Sequence, residues 1–289
     1  MKKKYLIIIL TLSICQAFGQ TQGIKVDGEM RRFTMYVPES TTSSRAIPLV
    51  LNFHGSGITA LEQMFYTEMN KTAEKQGFIV VYPQGKNNDW NVGFDMDYDT
   101  GSNDVAFIDL LIKKIQKKYK IDSSAIFATG FSRGGFFIHR LVAELPNTLA
   151  AIATIGAPLP NEVLKRHPNQ KNIAVLLAHG DSDEVVNYNG KFFAYQSMNE
   201  TVDYYINQNK SNKKPISIII NPEKDETSVV IKKYKGAKPI VKIQIKNGGH
   251  TWPGANDFNI GLLLGKTTHD IMFNEMMWEF FVKNKKSHK

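Results

Sequence analysis

Ser132, His250 and a cluster of carboxylates after residue 180 are the side chains whose types and surroundings suit proton-relay chemistry. Ser132 lies in Gly130-Phe131-Ser132-Arg133-Gly134-Gly135. An apolar run of strand character, Ala125 to Thr129, precedes it, and Phe136 to Glu144 after it can wind as a helix. A G-x-S-x-G between strand and helix is a nucleophile elbow. The turn is so tight that the flanking residues must be small, hence Gly130 and Gly134. It lifts the hydroxyl beside the amino end of the helix, where the Arg133 N–H can help hold a developing oxyanion.

A serine hydroxyl is a poor nucleophile near neutral pH and needs a base. Of seven histidines, His250 is the candidate, since it ends a strand, follows two glycines and precedes Thr251-Trp252-Pro253-Gly254. His54 and His179 sit in strand-end His-Gly pairs and read as turn formers. His139 lies in the helix after the elbow and suits packing, whereas His167, His269 and His288 have polar or terminal surroundings. The base must be held in one tautomer by a third group, normally a carboxylate. His179-Gly180-Asp181-Ser182-Asp183-Glu184 offers Asp181, Asp183 and Glu184, and spacing does not choose among them. A second oxyanion donor is expected in His54-Gly55-Ser56-Gly57, from the amide of Ser56 or Gly57. That loop lacks the lysine and the spacing of a phosphate-binding loop. Asp95, Asp97, Asp99 and Asp104 invite a calcium reading, but the glycine is misplaced for an EF-hand and Ala106 stands where its bidentate glutamate belongs. The acids are expected to be solvated or to contact substrate, with no metal.

Short apolar runs alternate with amphipathic stretches along the chain. Pro48 to Phe53, Phe78 to Tyr82, Leu149 to Ile155, Ile173 to Ala178 and Val241 to Ile245 read as buried strands. Arg31 to Val37 is an early strand, and Ile216 to Ile220 with Ser228 to Tyr234 a hairpin. Gln20 to Val26 reads as a tail. Helices are expected over Leu61 to Ala73, Val105 to Tyr119, Tyr195 to Gln208 and Thr268 to Val282. In Val105 to Tyr119, Val105, Ile108, Leu111, Ile112 and Ile115 share one face. The alternation predicts an α/β fold with a mostly parallel central sheet and helices on both faces. In such sheets chemistry gathers at the carboxyl ends of the strands. Ser132, the His54 loop, the His179 loop and His250 all fall there.

The chain has 289 residues, 42% of them hydrophobic, enough to bury a substantial core. Lys2, Lys3 and Lys4 contribute three units to its formal net charge of +9. They open a leader with an apolar stretch from Leu6 to Ile14 and small residues at Ala17 and Gly19, which reads as a secretory signal over 1–19. The stretch is too short for a permanent anchor. Residues 20–289 are then one catalytic domain, secreted or periplasmic, with no stable membrane anchor. Cys15 is the only cysteine, so the exported chain would hold no disulfide. No Arg-rich stripe interleaved with aromatics points to nucleic acid.

FHGSG, YPQG followed by Trp90, NDVAFI, ATGFSRGG, HGDSDEVVNYNG and GGHTWPG occur in that order over nearly the whole chain. With these runs the chain resembles the secreted poly(3-hydroxybutyrate) depolymerase and feruloyl esterase group of carbohydrate esterase family one. The resemblance implies an α/β-hydrolase fold, with Ser132 as nucleophile, His250 as base and Asp183 as the acid. Two departures stand out: Asn187 replaces the usual proline, and the family's common cysteines are missing. The expected function is ester hydrolysis without a cofactor, on feruloyl or acyl esters of plant cell-wall polysaccharide fragments. Trp90 and Trp252 are expected to wall the substrate. Hydroxybutyrate oligomers are the alternative substrate, and a non-catalytic glycan-binding protein on a hydrolase scaffold is the alternative from another class.

Overall fold

A computed structural model of the chain describes residues 20–41, 45–223, 226–256 and 263–287. The expected leader over 1–19 and His288 lie outside the described residues. Ten strands form one sheet in the order β1-β2-β4-β3-β5-β6-β7-β10-β9-β8. They are β1 Gln20–Val26, β2 Glu29–Tyr36, β3 Ile47–Phe53, β4 Ile79–Pro83, β5 Ile121–Phe131, β6 Ala151–Ile155, β7 Ala174–Gly180, β8 Ile216–Ile220, β9 Ser228–Tyr234 and β10 Ile240–Lys246. The six central strands, β4 to β10 in that order, are parallel, and antiparallel strands flank them on both sides.

Alternate residues of the buried strands feed two cores. Leu49, Leu51, Phe53, Ile126 and Ala128 face one cluster, while Val50, Ala125, Phe127 and Phe131 face the other. The first cluster is closed by α3 Asp104–Lys118, α4 Arg133–Glu144 and α6 Met198–Asn209. The second is closed by α1 Ala60–Thr67, α2 Met69–Gln76 and α7 Phe273–Lys283. α5 is a short turn of helix, Asn161–Arg166. Helices therefore cover both faces, and the continuous apolar runs follow from strands with no solvent side.

Four local expectations differ from the structure. Gln20 to Val26, read as a tail, pairs with β2 through the turn Asp27-Gly28, where φ is 48° and 85°. An Asp-Gly pair is the residue choice that such a two-residue hairpin turn needs. The expected helix from Leu61 to Ala73 is two helices, because Glu68 adopts φ 47° between them. α6 begins at Met198 rather than Tyr195, since Ser197 and Glu200 form a capping box, an arrangement worth about 1 kcal/mol. α7 begins at Phe273, and Thr268 hydrogen-bonds across to Thr227 instead of opening a helix.

Candidate active site

Ser132 sits between β5 and α4 with φ 53° and ψ −125°, a conformation that costs a non-glycine residue about 1–3 kcal/mol. Two hydrogen bonds hold it there: its N–H donates to Ile155 O at 2.9 Å, and its carbonyl accepts from Phe136 N at 3.0 Å. The flanking glycines are a steric necessity. A Cβ on Gly130 would stand 2.8 Å from the Gly134 carbonyl carbon, and one on Gly134 would stand 2.5 Å from the Phe53 and His54 carbonyl oxygens.

The β3 loop passes directly beside the serine, because a Cβ on Gly55 would lie 3.4 Å from the Ser132 Cβ. This loop is pinned by His54, whose Nδ1–H donates to Gly55 O at 2.7 Å while Nε2 accepts from Gly85 N at 2.9 Å. Burial pushes the His54 imidazole down to about 4, so it stays neutral near pH 7. Of the two amides expected to face an oxyanion, Gly57 is already engaged, donating to Asn88 O at 2.9 Å. The Ser56 amide has no partner among the described residues, and neither has the Arg133 amide at the first position of α4.

His250 is buried, with its ring 4.6 Å from that of Phe131, the residue before the serine. Its Nδ1–H donates to Asp183 Oδ2 at 2.6 Å, which leaves Nε2 as the lone-pair nitrogen. Among the described residues neither Nε2 nor the Ser132 hydroxyl has a hydrogen-bond partner. Gly156 lies between the two residues, since an added Cβ would be 2.8 Å from two atoms of the His250 ring, and Ile155 holds the Ser132 amide.

The three acids left open by spacing have distinct surroundings. Asp181 braces the end of β10 through Gln244, the Asn247 amide and Lys246. Glu184 is exposed. Asp183 is buried and meets His250; its other oxygen accepts from the Val185 and Val186 amides at 2.9 and 2.7 Å. Burial by itself would raise the Asp183 pKa, but hydrogen bonds from His179 and His250 outweigh it and hold the carboxyl well below the usual range. The contact with His179, at 3.1 Å, was not legible in the sequence, where His179 reads as a turn former. Asn187, in the place of a proline, donates its N–H to the Tyr195 hydroxyl, a bond proline cannot make.

The tryptophans do not lie on a surface. Trp90 is fully buried, stacked on Phe137 at 5.0 Å, and its indole N–H donates to His54 O. Trp252 is 1% exposed, and its indole N–H donates to Asn274. As expected substrate walls both are corrected: each ring is buried, Trp90 beneath the His54 loop and Trp252 against Phe273 of α7. The most exposed aromatic rings among the described residues are Phe192 and Phe193, 86% and 88% exposed, at the tip of a turn closed by the Ala194 N–H on Lys191 O. Nothing in their spacing marked them in the sequence. The turn's base is packed through Tyr195 onto Phe136 and Phe94, and Arg133 lies over the Phe94 ring at 4.3 Å.

The acidic loop is satisfied within the protein. Asp95 and Asp89 pair with Arg133, Asp99 with Arg166, and Asp104 with the buried Arg31 at 2.6 Å. Asp97 accepts from Asp99 N and Thr100 N. His139 is likewise structural, bridging Tyr205 and Ala157 O from α4, and burial pushes it down to about 4.

This arrangement is a serine at a strained turn, an imidazole tied to a buried carboxylate, and two free amides. A model of the phospholipase/carboxylesterase family matches residues 40–214, more than half of the chain. The chain belongs to that family. It is 28% identical over 163 residues to the bifunctional acetylxylan esterase/xylanase XynS20E of Neocallimastix patriciarum, a match covering 56% of this chain and 22% of that protein. It is 26% identical over 225 residues to a probable feruloyl esterase C of Aspergillus clavatus, covering 76% and 75% of the two chains. The acetyl xylan esterase from Aspergillus awamori superposes with a TM-score of 0.66 at 17% identity, over 91% of this chain and 99% of that one. The fold is thus the α/β-hydrolase type of esterase.

Proposed function

We propose that this protein is an exported serine esterase that transfers an acyl group to water through Ser132, His250 and Asp183. The single observation carrying the reading is the buried Asp183–His250 hydrogen bond of 2.6 Å beside the strained Ser132 turn. Asp183 holds the His250 proton on Nδ1, so Nε2 is the base. Ser132 Oγ gives its proton to Nε2 and attacks the ester carbonyl, and the tetrahedral oxygen is held by the Arg133 and Ser56 amides. His250 then protonates the leaving alcohol. Water, deprotonated by the same nitrogen, cleaves the acyl-enzyme and returns Ser132.

The substrate class is feruloyl or other acyl esters on plant cell-wall polysaccharide fragments. The names of the esterase relatives support this class. So do the exposed rings of Phe192 and Phe193, set edge to face at 80° on the loop that follows Asp183 and offering apolar contact area. The leader over 1–19 supports export, and no helix among the described residues is long and apolar enough to cross a membrane.

The test is Ser132→Ala assayed on methyl ferulate, acetylated xylan fragments and a soluble hydroxybutyrate trimer. Turnover is expected to fall by roughly 10⁴ to 10⁶ with the fold intact. A variant keeping more than about a tenth of wild-type activity would remove Ser132 from the nucleophile role, since residual catalysis from an oxyanion hole is far weaker. Preference for the trimer would move the substrate to hydroxybutyrate esters. Binding of xylan fragments with no hydrolysis of any ester would instead make the protein a glycan binder.

A further inference from the structure

His179 is the penultimate residue of β7, in register opposite Gln244 of β10, and its side chain is fully buried. Its Nε2 lies 3.1 Å from Asp183 Oδ2 and 2.9 Å from Val186 O. Both partners are acceptors, so Nε2 carries a hydrogen and shares it between them. Nδ1 is buried without a partner among the described residues. A hydrogen there would be a buried donor with nothing to receive it, so the ring is the neutral tautomer with its proton on Nε2. Tyr188 backs the imidazole, with ring centroids 5.3 Å apart.

We propose that His179 is a positioning residue for Asp183, holding the carboxylate in the plane from which it orients His250. The inference rests on the triad reading above. Asp183 is a loop residue, and a loop acid is positioned only as well as its surroundings hold it. The Val185 and Val186 amides grip Oδ1 from the same loop and move with it. His179 is different, because it stands on a central strand between β6 and β10 and grips Oδ2, the oxygen that also receives the His250 proton. The sheet thereby fixes the rotation of the carboxylate about Cβ–Cγ. The same N–H also ties Val186 O, so one donor clamps both the acid and the loop that follows it. A neutral donor suits this place. It restrains the carboxylate without adding a full positive charge that would compete with the imidazolium forming on His250.

The experiment compares His179→Leu, which removes the donor, with His179→Gln, which keeps an N–H at similar reach. Each is measured for kcat and KM on a soluble ester, for the rate of Ser132 labelling by a fluorophosphonate, and by thermal melting. His179→Leu is expected to lower kcat and the labelling rate by on the order of 10- to 100-fold, the penalty of a sub-ångström to 1 Å misplacement of a catalytic group. KM should stay within about twofold, since substrate contacts are untouched. His179→Gln should recover most of the loss. In an Asp183→Ala background His179→Leu should cost nothing further, because its effect passes through the carboxylate. Equal losses with and without Asp183, or a glutamine variant as slow as the leucine variant at the same melting temperature, would overturn the inference and leave His179 a packing residue. Retained turnover in Ser132→Ala would overturn the triad reading itself and this inference with it.

Discussion

Replacing Gly156 with alanine is expected to slow turnover by on the order of 10²-fold while leaving the fold in place. Gly156 follows β6 with φ 58°, between the Ile155 carbonyl that holds Ser132 and the His250 ring. The left-handed backbone costs an alanine roughly 1–2 kcal/mol. The larger effect is steric. The new Cβ would stand 2.8 Å from both Cε1 and Nδ1 of His250 and 3.5 Å from Asp183 Oδ2. Non-bonded carbons rest at about 3.5–4.0 Å, so restoring that separation moves the ring by about 0.7–1.2 Å. Its retreat is constrained by Phe131, whose ring already lies 4.6 Å away, and by the 2.6 Å bond to Asp183. Either the bond to Asp183 lengthens or Nε2 turns away from the serine. The assay is kcat on p-nitrophenyl acetate with the rate of fluorophosphonate labelling and a melting curve. A drop of a few degrees in Tm is expected from the backbone cost alone. If kcat and labelling stay within about threefold of wild type, His250 is not confined as described, and a displacement of this size lies outside the range where misplacement costs 10²-fold.

Asp183→Asn should cost on the order of 10³ to 10⁴ in turnover, with Asp181→Asn and Glu184→Gln costing far less; the opposite ranking would reassign the acid. His54 and His139 are buried with pKa values lowered to about 4, so between about pH 4 and 6.5 the unfolded chain binds more protons than the folded one. Stability should therefore fall as pH drops through that window, by about 2 kcal/mol per histidine at pH 5 relative to pH 7, and urea melts of His139→Gln should show a flatter pH profile than wild type. Phe192→Ser combined with Phe193→Ser should lower kcat/KM for feruloylated oligosaccharides several-fold while leaving p-nitrophenyl acetate unchanged, because exposed rings contribute contact area and not chemistry; equal effects on both substrates would remove the rings from substrate contact.

Much of this protein was decided by local rules that act on a few adjacent residues. The elbow at Gly130 to Gly135 needs small residues and was legible for that reason, as were the buried strands, whose continuous apolar runs mark a sheet covered on both faces. The Asp27-Gly28 turn was equally local, and it shows that the strand before it was readable from its turn chemistry rather than its weak alternation. Tertiary structure decided whatever depends on direction and distance between remote segments. Asp181, Asp183 and Glu184 are chemically alike and nearly adjacent, and the end of β10 separates them: it takes Asp181 through Gln244, Lys246 and Asn247, and its following turn brings His250 to Asp183. Trp90 and Trp252 carry side chains that suit either a substrate wall or a core, and packing density put both rings inside. Gly57 and Ser56 are neighbours in a flexible-looking loop, yet the Asn88 carbonyl, more than thirty residues along the chain, leaves one amide free and engages the other. His179 gives no local sign of its contact with Asp183, because the loop that returns the carboxylate to its own strand end exists only once β7 and β10 are paired.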